Sequence, residues 1–148
     1  MVVVPAWRTV YFAKRDQGAF KQIQNQSPQP LQTRPWSEET ALTILRSRHH
    51  DHSELMVFCH QFPAFNLIRC GSSLKFCWLA EGLGDIYPRL SPTCEWDTAA
   101  GQCILEVAGG AVLDQQGQPL RYNKSHSIKQ PAFLAVADRN HAWNHLFR

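Results

Sequence analysis

Trp96, Ala99, Ala100, Cys103, Ile104 and Val107 stand at i, i+3, i+4, i+7, i+8 and i+11, the spacing of one stripe along an α-helix. This pattern predicts a helix over about 95–108, closed by Gly109 and Gly110. It constrains the fold more than any other stretch, because a helix with one apolar face must bury it against another layer. The flanking sequence offers that layer. Short apolar runs at 41–45, 65–69, 85–88, 111–113 and 132–137 read as strands, with a turn over 116–119. Further helices are expected from about 51 to 61, and from Gly71-Ser72-Ser73 through Leu83 with a serine as cap. Strands alternating with helices imply an α/β fold built on a mostly parallel, helix-covered sheet.

The first third has a different texture. Val2-Val3-Val4 and residues 9–13 are β-type runs separated by Pro5-Ala6-Trp7-Arg8, and a turn at 15–18 leads into another run at 19–23. Residues 24–40 are rich in Gln, Ser and Pro and read as a linker. The expected division is therefore 1–40, strands and linker, followed by 41–148, an α/β domain.

Composition narrows the class. The chain has 148 residues, enough for one ordinary core, with 44% hydrophobic and 18% charged residues, the balance of a globular protein. A net charge of +3 suits small anions but is too weak and scattered for nucleic acid. Five cysteines form no CxxC and no zinc-ligand spacing, which reads as reduced thiols in a cytosolic protein. Met1-Val2-Val3-Val4-Pro5 lacks the basic and apolar regions of a signal peptide. No apolar run approaches the roughly 20 residues of a membrane helix. A soluble protein is expected, with peripheral contact at the inner membrane left open.

Among residues that carry chemistry, Asp97 stands out. It falls in the first turn of the striped helix, where the dipole favours negative charge and free N–H groups face an anion. A carboxylate there can ligate a hard cation; the alternative is a first-turn acid that only complements the dipole. Ser72 and Lys75, in Gly71-Ser72-Ser73-Leu74-Lys75, suit a phosphate or ribose contact, or else a serine cap and a solvated lysine. Arg89, after Tyr87-Pro88, clamps a phosphate or is a surface charge. His49-His50-Asp51-His52 has no i, i+4 pair of imidazoles and reads as a turn, one of whose histidines is free to touch a ligand. His141 and His145 do have that spacing, but no Glu follows His141, so the metalloprotease pattern fails. Glu38-Glu39 reads as a solvated turn.

Together these pieces resemble one family. Trp96-Asp97-Thr98-Ala99-Ala100-Gly101 resembles the WDxAAG signature of inositol-monophosphatase-like phosphatases. The segments 71–77, Ala80-Glu81-Gly82, Asp85-Ile86-Tyr87-Pro88-Arg89, Pro92-Thr93, 109–114 and 117–122 are similar to the surrounding run in CysQ-type bisphosphate nucleotidases, and Ser47-Arg48-His49-His50 to their SRSH segment. The resemblance implies removal of the 3'-phosphate from adenosine 3',5'-bisphosphate or a related nucleotide, with Mg²⁺ clamping the phosphate and activating water. It implies that Asp97 is a metal ligand, also facing substrate, and that His50, Ser72, Lys75 and Arg89 contact the nucleotide. It further implies the carboxy-terminal half of the family's layered α/β fold, with 1–40 a remnant of the amino-terminal antiparallel sheet. The family's Glu-Glu and DPxDGT metal segments have no counterpart here: Glu38-Glu39 is not followed by such a motif. One carboxylate is a poor Mg²⁺ site. The expectation is a chain without catalytic residues of its own, inactive alone and awaiting an amino-terminal half or forming homo-oligomers. An inositol monophosphatase fragment and a non-catalytic nucleotide-binding module are the rival readings.

Overall fold

The computed structural model describes residues 1–47 and 52–143. Val2–Val4 (β1) and Thr9–Lys14 (β2) pair antiparallel around a 3-10 turn at Pro5–Trp7. Gly18–Ile23 (β3) follows a tight turn in which Gly18 takes a φ of 102°, a left-handed backbone that glycine adopts without strain. Gln29–Pro30 (β4) completes a four-stranded sheet in the order β1-β2-β3-β4.

The stretch read as a linker is tied down along its length. Leu31 N–H donates to the Ala19 carbonyl and Thr33 N–H to that of Ala108. Arg34 forks onto Asp85, Nε to Oδ1 at 2.8 Å and Nη2 to Oδ2 at 3.1 Å. Trp36 lies tilted against Trp143 and edge-on to His141.

The second sheet is built from Leu42–Arg46 (β5), then after His52–Cys59 (α1) from Phe65–Arg69 (β6), and after Leu74–Ala80 (α2) from Ile86–Arg89 (β7). Thr93–Cys94 (β8) leads directly into Glu95–Ala108 (α3), and Ala111–Asp114 (β9) returns to the sheet. Lys129–Gln130 (β10) pairs with β8, and Phe133–Val136 (β11) closes the sheet in the order β6-β5-β7-β11-β9. β5 runs parallel to β6 and β7, while β11 is antiparallel to both β7 and β9. Four strands thus share one direction and β11 alone opposes them. Every residue of β11 is buried, as expected for a strand covered on both faces.

Strand alternation separates two cores. Leu45, Tyr87, Val112, Phe133 and Ala135 face α2 and α3, which in turn meet Tyr11 and Ala19 of the first sheet. Leu42, Ile44, Ile86, Leu134 and Val136 face the other way, onto Leu55, Phe58 and Cys59 of α1 and onto Trp143. The layers are sheet, helix pair, sheet, helix. Across the first boundary Tyr11 donates its hydroxyl to Glu81, whose other oxygen meets Lys21 Nζ at 2.7 Å.

Two local expectations fail. α3 has the expected bounds, but its buried face is not the apolar stripe. Trp96 is 66% exposed and Ala99 and Cys103 are exposed, whereas Thr98, Gly101, Gln102, Ile104, Leu105 and Ala108 point inward. The reason is a polar network: Tyr122 Oη donates to Gln102 Oε1 at 2.6 Å and lies 3.1 Å from Thr98 Oγ1, and Gln102 Nε2 donates to the Leu120 carbonyl. Buried polar groups satisfied in this way are tolerated in a core. The second failure is the serine cap on α2. Ser73 makes no side-chain cap bond, and its hydroxyl donates instead to the Asp97 carbonyl at 3.2 Å.

Candidate active site

A cavity of about 830 Å³ opens where the carboxyl ends of β5 and β7, the loop before α2 and the amino end of α3 converge, with β1 as a further wall. In α/β sheets the carboxyl ends of parallel strands are where ligands bind. Ser72, Lys75, Arg89 and Asp97, assigned separately from sequence, all line this one cavity. His50 lies outside the described residues, as do His49, Asp51 and His145.

Asp97 is exposed at the third position of α3. Its Oδ2 accepts from Thr93 Oγ1 at 2.8 Å and from the Cys94 N–H at 3.2 Å, which makes it half of a capping box. The dipole's positive end favours a negative charge at this place, and the carboxylate is open to solvent.

Ser72 takes a φ of 51°, a left-handed backbone unusual for a residue with a side chain. The cause lies in Lys75. Far from being a solvated lysine, it is 2% exposed, and its Nζ donates to the Ser72 carbonyl at 3.1 Å and the Cys70 carbonyl at 3.3 Å. The ammonium also lies 4.5 Å from the centre of the Tyr87 ring, within cation–π range. Burial, opposed by Cys70 and reinforced by the Arg89 charge, lowers its pKa to about 8. Lys75 therefore holds the 70–73 loop in shape from beneath the cavity.

Arg89 is itself oriented by backbone. Its Nε donates to the Ser91 carbonyl at 3.1 Å and its Nη2 to that of Pro92 at 3.4 Å. Tyr87, not singled out from sequence, stands behind it. Burial raises its phenol pKa, and hydrogen bonds with Arg89 and Ser47 partly offset that. Thr93, Trp96 and Phe133 also line the cavity without having been named as ligand contacts. For Thr93 a signal existed, since a hydroxyl four residues before a first-turn acid is placed to meet it.

An Mg²⁺ ion needs several oxygen donors in octahedral array. Among the described residues no group of three or more His, Cys, Asp or Glu converges to hold a metal. Asp97 alone, with one oxygen already accepting two hydrogen bonds, does not make an octahedral oxygen site.

Comparison with known proteins explains the assembly. The model of the inositol monophosphatase family matches residues 1–144. The chain belongs to the inositol monophosphatase family. Within that family it is 37% identical over 139 residues to the 3'(2'),5'-bisphosphate nucleotidase CysQ of Salmonella typhimurium, covering 90% of this chain and 52% of that protein. CysQ of Escherichia coli K12 gives the same figures. The crystal structure of CysQ from Bacteroides thetaiotaomicron superimposes with a TM-score of 0.77 at 33% identity, covering 92% of this chain and 56% of that one. SuhB of Mycobacterium tuberculosis superimposes with a TM-score of 0.67 at 26% identity, covering 89% of this chain and 50% of that one. This inositol monophosphatase-family chain thus spans about half the length of the curated relatives it matches, and its α/β layers are those of the family. No helix among the described residues is long and apolar enough to cross a membrane.

Proposed function

We propose that this chain forms the substrate-facing part of a 3'(2'),5'-bisphosphate nucleotidase, which converts adenosine 3',5'-bisphosphate to AMP and phosphate with Mg²⁺. The observation that carries the reading is the convergence of Ser72, Lys75, Arg89 and Asp97 on one cavity at the carboxyl ends of the sheet. In this reading Arg89 and the serine loop bind the nucleotide, Lys75 shapes that loop, and Asp97 gives one oxygen to the cation. The remaining metal carboxylates come from a polypeptide outside these 148 residues. Phosphate monoester hydrolysis is among the slowest uncatalysed reactions, so the chain alone should not turn over.

The test measures phosphate release from adenosine 3',5'-bisphosphate with Mg²⁺, first with the chain alone and then with the amino-terminal half of a CysQ relative added. No release alone and release on mixing, lost in Asp97→Asn, is the expected pattern. Turnover by the chain alone that depends on Asp97 refutes the division of labour. The lack of a converging metal cluster among the described residues favours one second reading, a nucleotide-binding module without catalysis. It predicts AMP binding with no activity in either mixture.

A further inference from the structure

The apolar stripe of α3, which its spacing marks for burial, is the part of the helix that faces outward. Trp96 is 66% exposed, Ala99 and Cys103 are exposed, and Ala100 and Val107 are half-buried. These five positions share one helical face, and none carries a charge. Beside the first turn stands Ile128, 49% exposed, whose carbonyl accepts from the Glu95 N–H. Apolar surface gathered on one face in this way marks an interaction site.

The stripe is shaped to match itself. Trp96 and Val107 stand at its two ends, about three turns apart, and the small Ala99, Ala100 and Cys103 lie between them. A second α3 laid antiparallel across it, about a two-fold axis through the middle, brings Trp96 of each copy against Val107 of the other. The small residues let the two backbones approach. The charges complement one another in the same arrangement. The loop 121–129 is clasped to the amino end of α3, where the Asn123 N–H donates to Glu95 Oε1 at 2.9 Å, and it exposes Arg121, Lys124 and Lys129. Glu106 lies about three turns beyond Glu95 on the same flank, and Arg139 near it is turned onto the last carbonyls of the helix. Antiparallel pairing sets the Glu106 carboxylate of each copy beside the basic loop of the other.

We propose that two copies of this chain associate through the outward face of α3, about a two-fold axis that crosses the helix near Ala100 and Cys103. The apolar stripe and the flanking loops cover on the order of 1,000 Å² in all, the low end for a specific interface, so the dimer is transient. Trp96 and Ala100 also line the large cavity, which places its mouth beside the contact. Nothing in this contact depends on the nucleotidase reading.

Sedimentation velocity of the full chain under reducing conditions should show a reversible monomer–dimer equilibrium, half-associated on the order of 10–100 µM. Cys103→Arg and Ala99→Glu each place a charge on the exposed face without entering the core, and each should weaken association by about tenfold or more. Rising salt and Lys124→Glu should weaken it to a lesser degree, by removing the flanking charge pairs. A short bismaleimide should join two copies of the unaltered chain through Cys103, a free and exposed thiol. Cys103→Ser should dimerise as before and lose that cross-link. A chain that stays monomeric at about 200 µM refutes the proposal. So does a dimer whose constant is unchanged in both Cys103→Arg and Ala99→Glu; one that Val3→Lys breaks instead lies along the β1 edge. Should the charged variants fail to fold, the cross-link decides in their place, and its absence overturns the α3 contact.

Discussion

Gly101→Ala on α3 sets two physical effects of opposite sign against each other. In an unhindered helix, replacing glycine with alanine stabilises by about 1 kcal/mol. Here the added Cβ would stand 2.4 Å from Cδ2 of Phe76, 2.7 Å from its Cγ and 2.9 Å from its Cβ, well inside the roughly 3.5–4.0 Å at which carbons attract. The Phe76 ring cannot swing aside. It is 2% exposed, stacked on Phe133 at 5.8 Å and set edge-on to Tyr87 at 5.5 Å. Overpacking of this kind costs about 1–3 kcal/mol. With three such approaches on a wedged ring we take the upper end, so after the helix gain the net loss is about 2 kcal/mol. For a domain of this size that lowers Tm by about 4–8 °C. Urea titration followed by tryptophan fluorescence reads it directly. Phe76→Leu removes the obstructing ring, and in that background Gly101→Ala should cost less than about 1 kcal/mol, a coupling visible in a double-mutant cycle. A stabilising Gly101→Ala in the unaltered background would mean that helix propensity, not close helix contact, governs this position, and the reasoning would be wrong.

Two further outcomes are expected. Asp85→Ala should cost about 2–3 kcal/mol: it strands Arg34 and the Thr43 N–H, which donates to Asp85 Oδ2 at 2.7 Å. That is below the usual figure for a broken buried pair, because the Arg34 side chain is 46% exposed and water re-solvates it. A loss under about 0.5 kcal/mol in urea titration contradicts that account. Stability should also fall above pH 9. Burial lifts the Cys59 thiol to about 11 and the Cys77 thiol to about 12 from an ordinary 9.0, so the unfolded chain sheds protons that the fold retains. Lys75 acts in the opposite sense between about 8 and 10.5, since the folded form has already released its proton. Two groups against one leave a net fall of about 1.4 kcal/mol per pH unit between 9 and 10, and above 10 the raised phenols of Tyr11, Tyr87 and Tyr122 steepen it. Cys77→Ala should flatten it, as urea midpoints across that range would show.

The element order was legible because local periodicity and turn chemistry carry it. The striped helix has its predicted bounds since Gly109, at a φ of 119°, can end it where few other residues could. Two-residue strands such as β8 and β10 left no such trace, as pairs so short have no period to detect. The candidate site was legible as residue types in a motif, but not as a place. Nothing in the chain around Lys75 announces that it would be buried under its own loop.

What the sequence determined by itself is thus the alternation of strands and helices, the left-handed stops and the family membership carried by ordered motifs. What only the tertiary structure decided is which faces turn inward. Counting apolar side chains placed Trp96 and Cys103 in the core, whereas Gly101 and Gln102 are there. Close helix contact rewards the smallest side chain, and a buried amide is kept where Tyr122 and the Leu120 carbonyl satisfy it. Both depend on partners brought from elsewhere in the chain, and hydrophobic spacing along one helix contains no record of them.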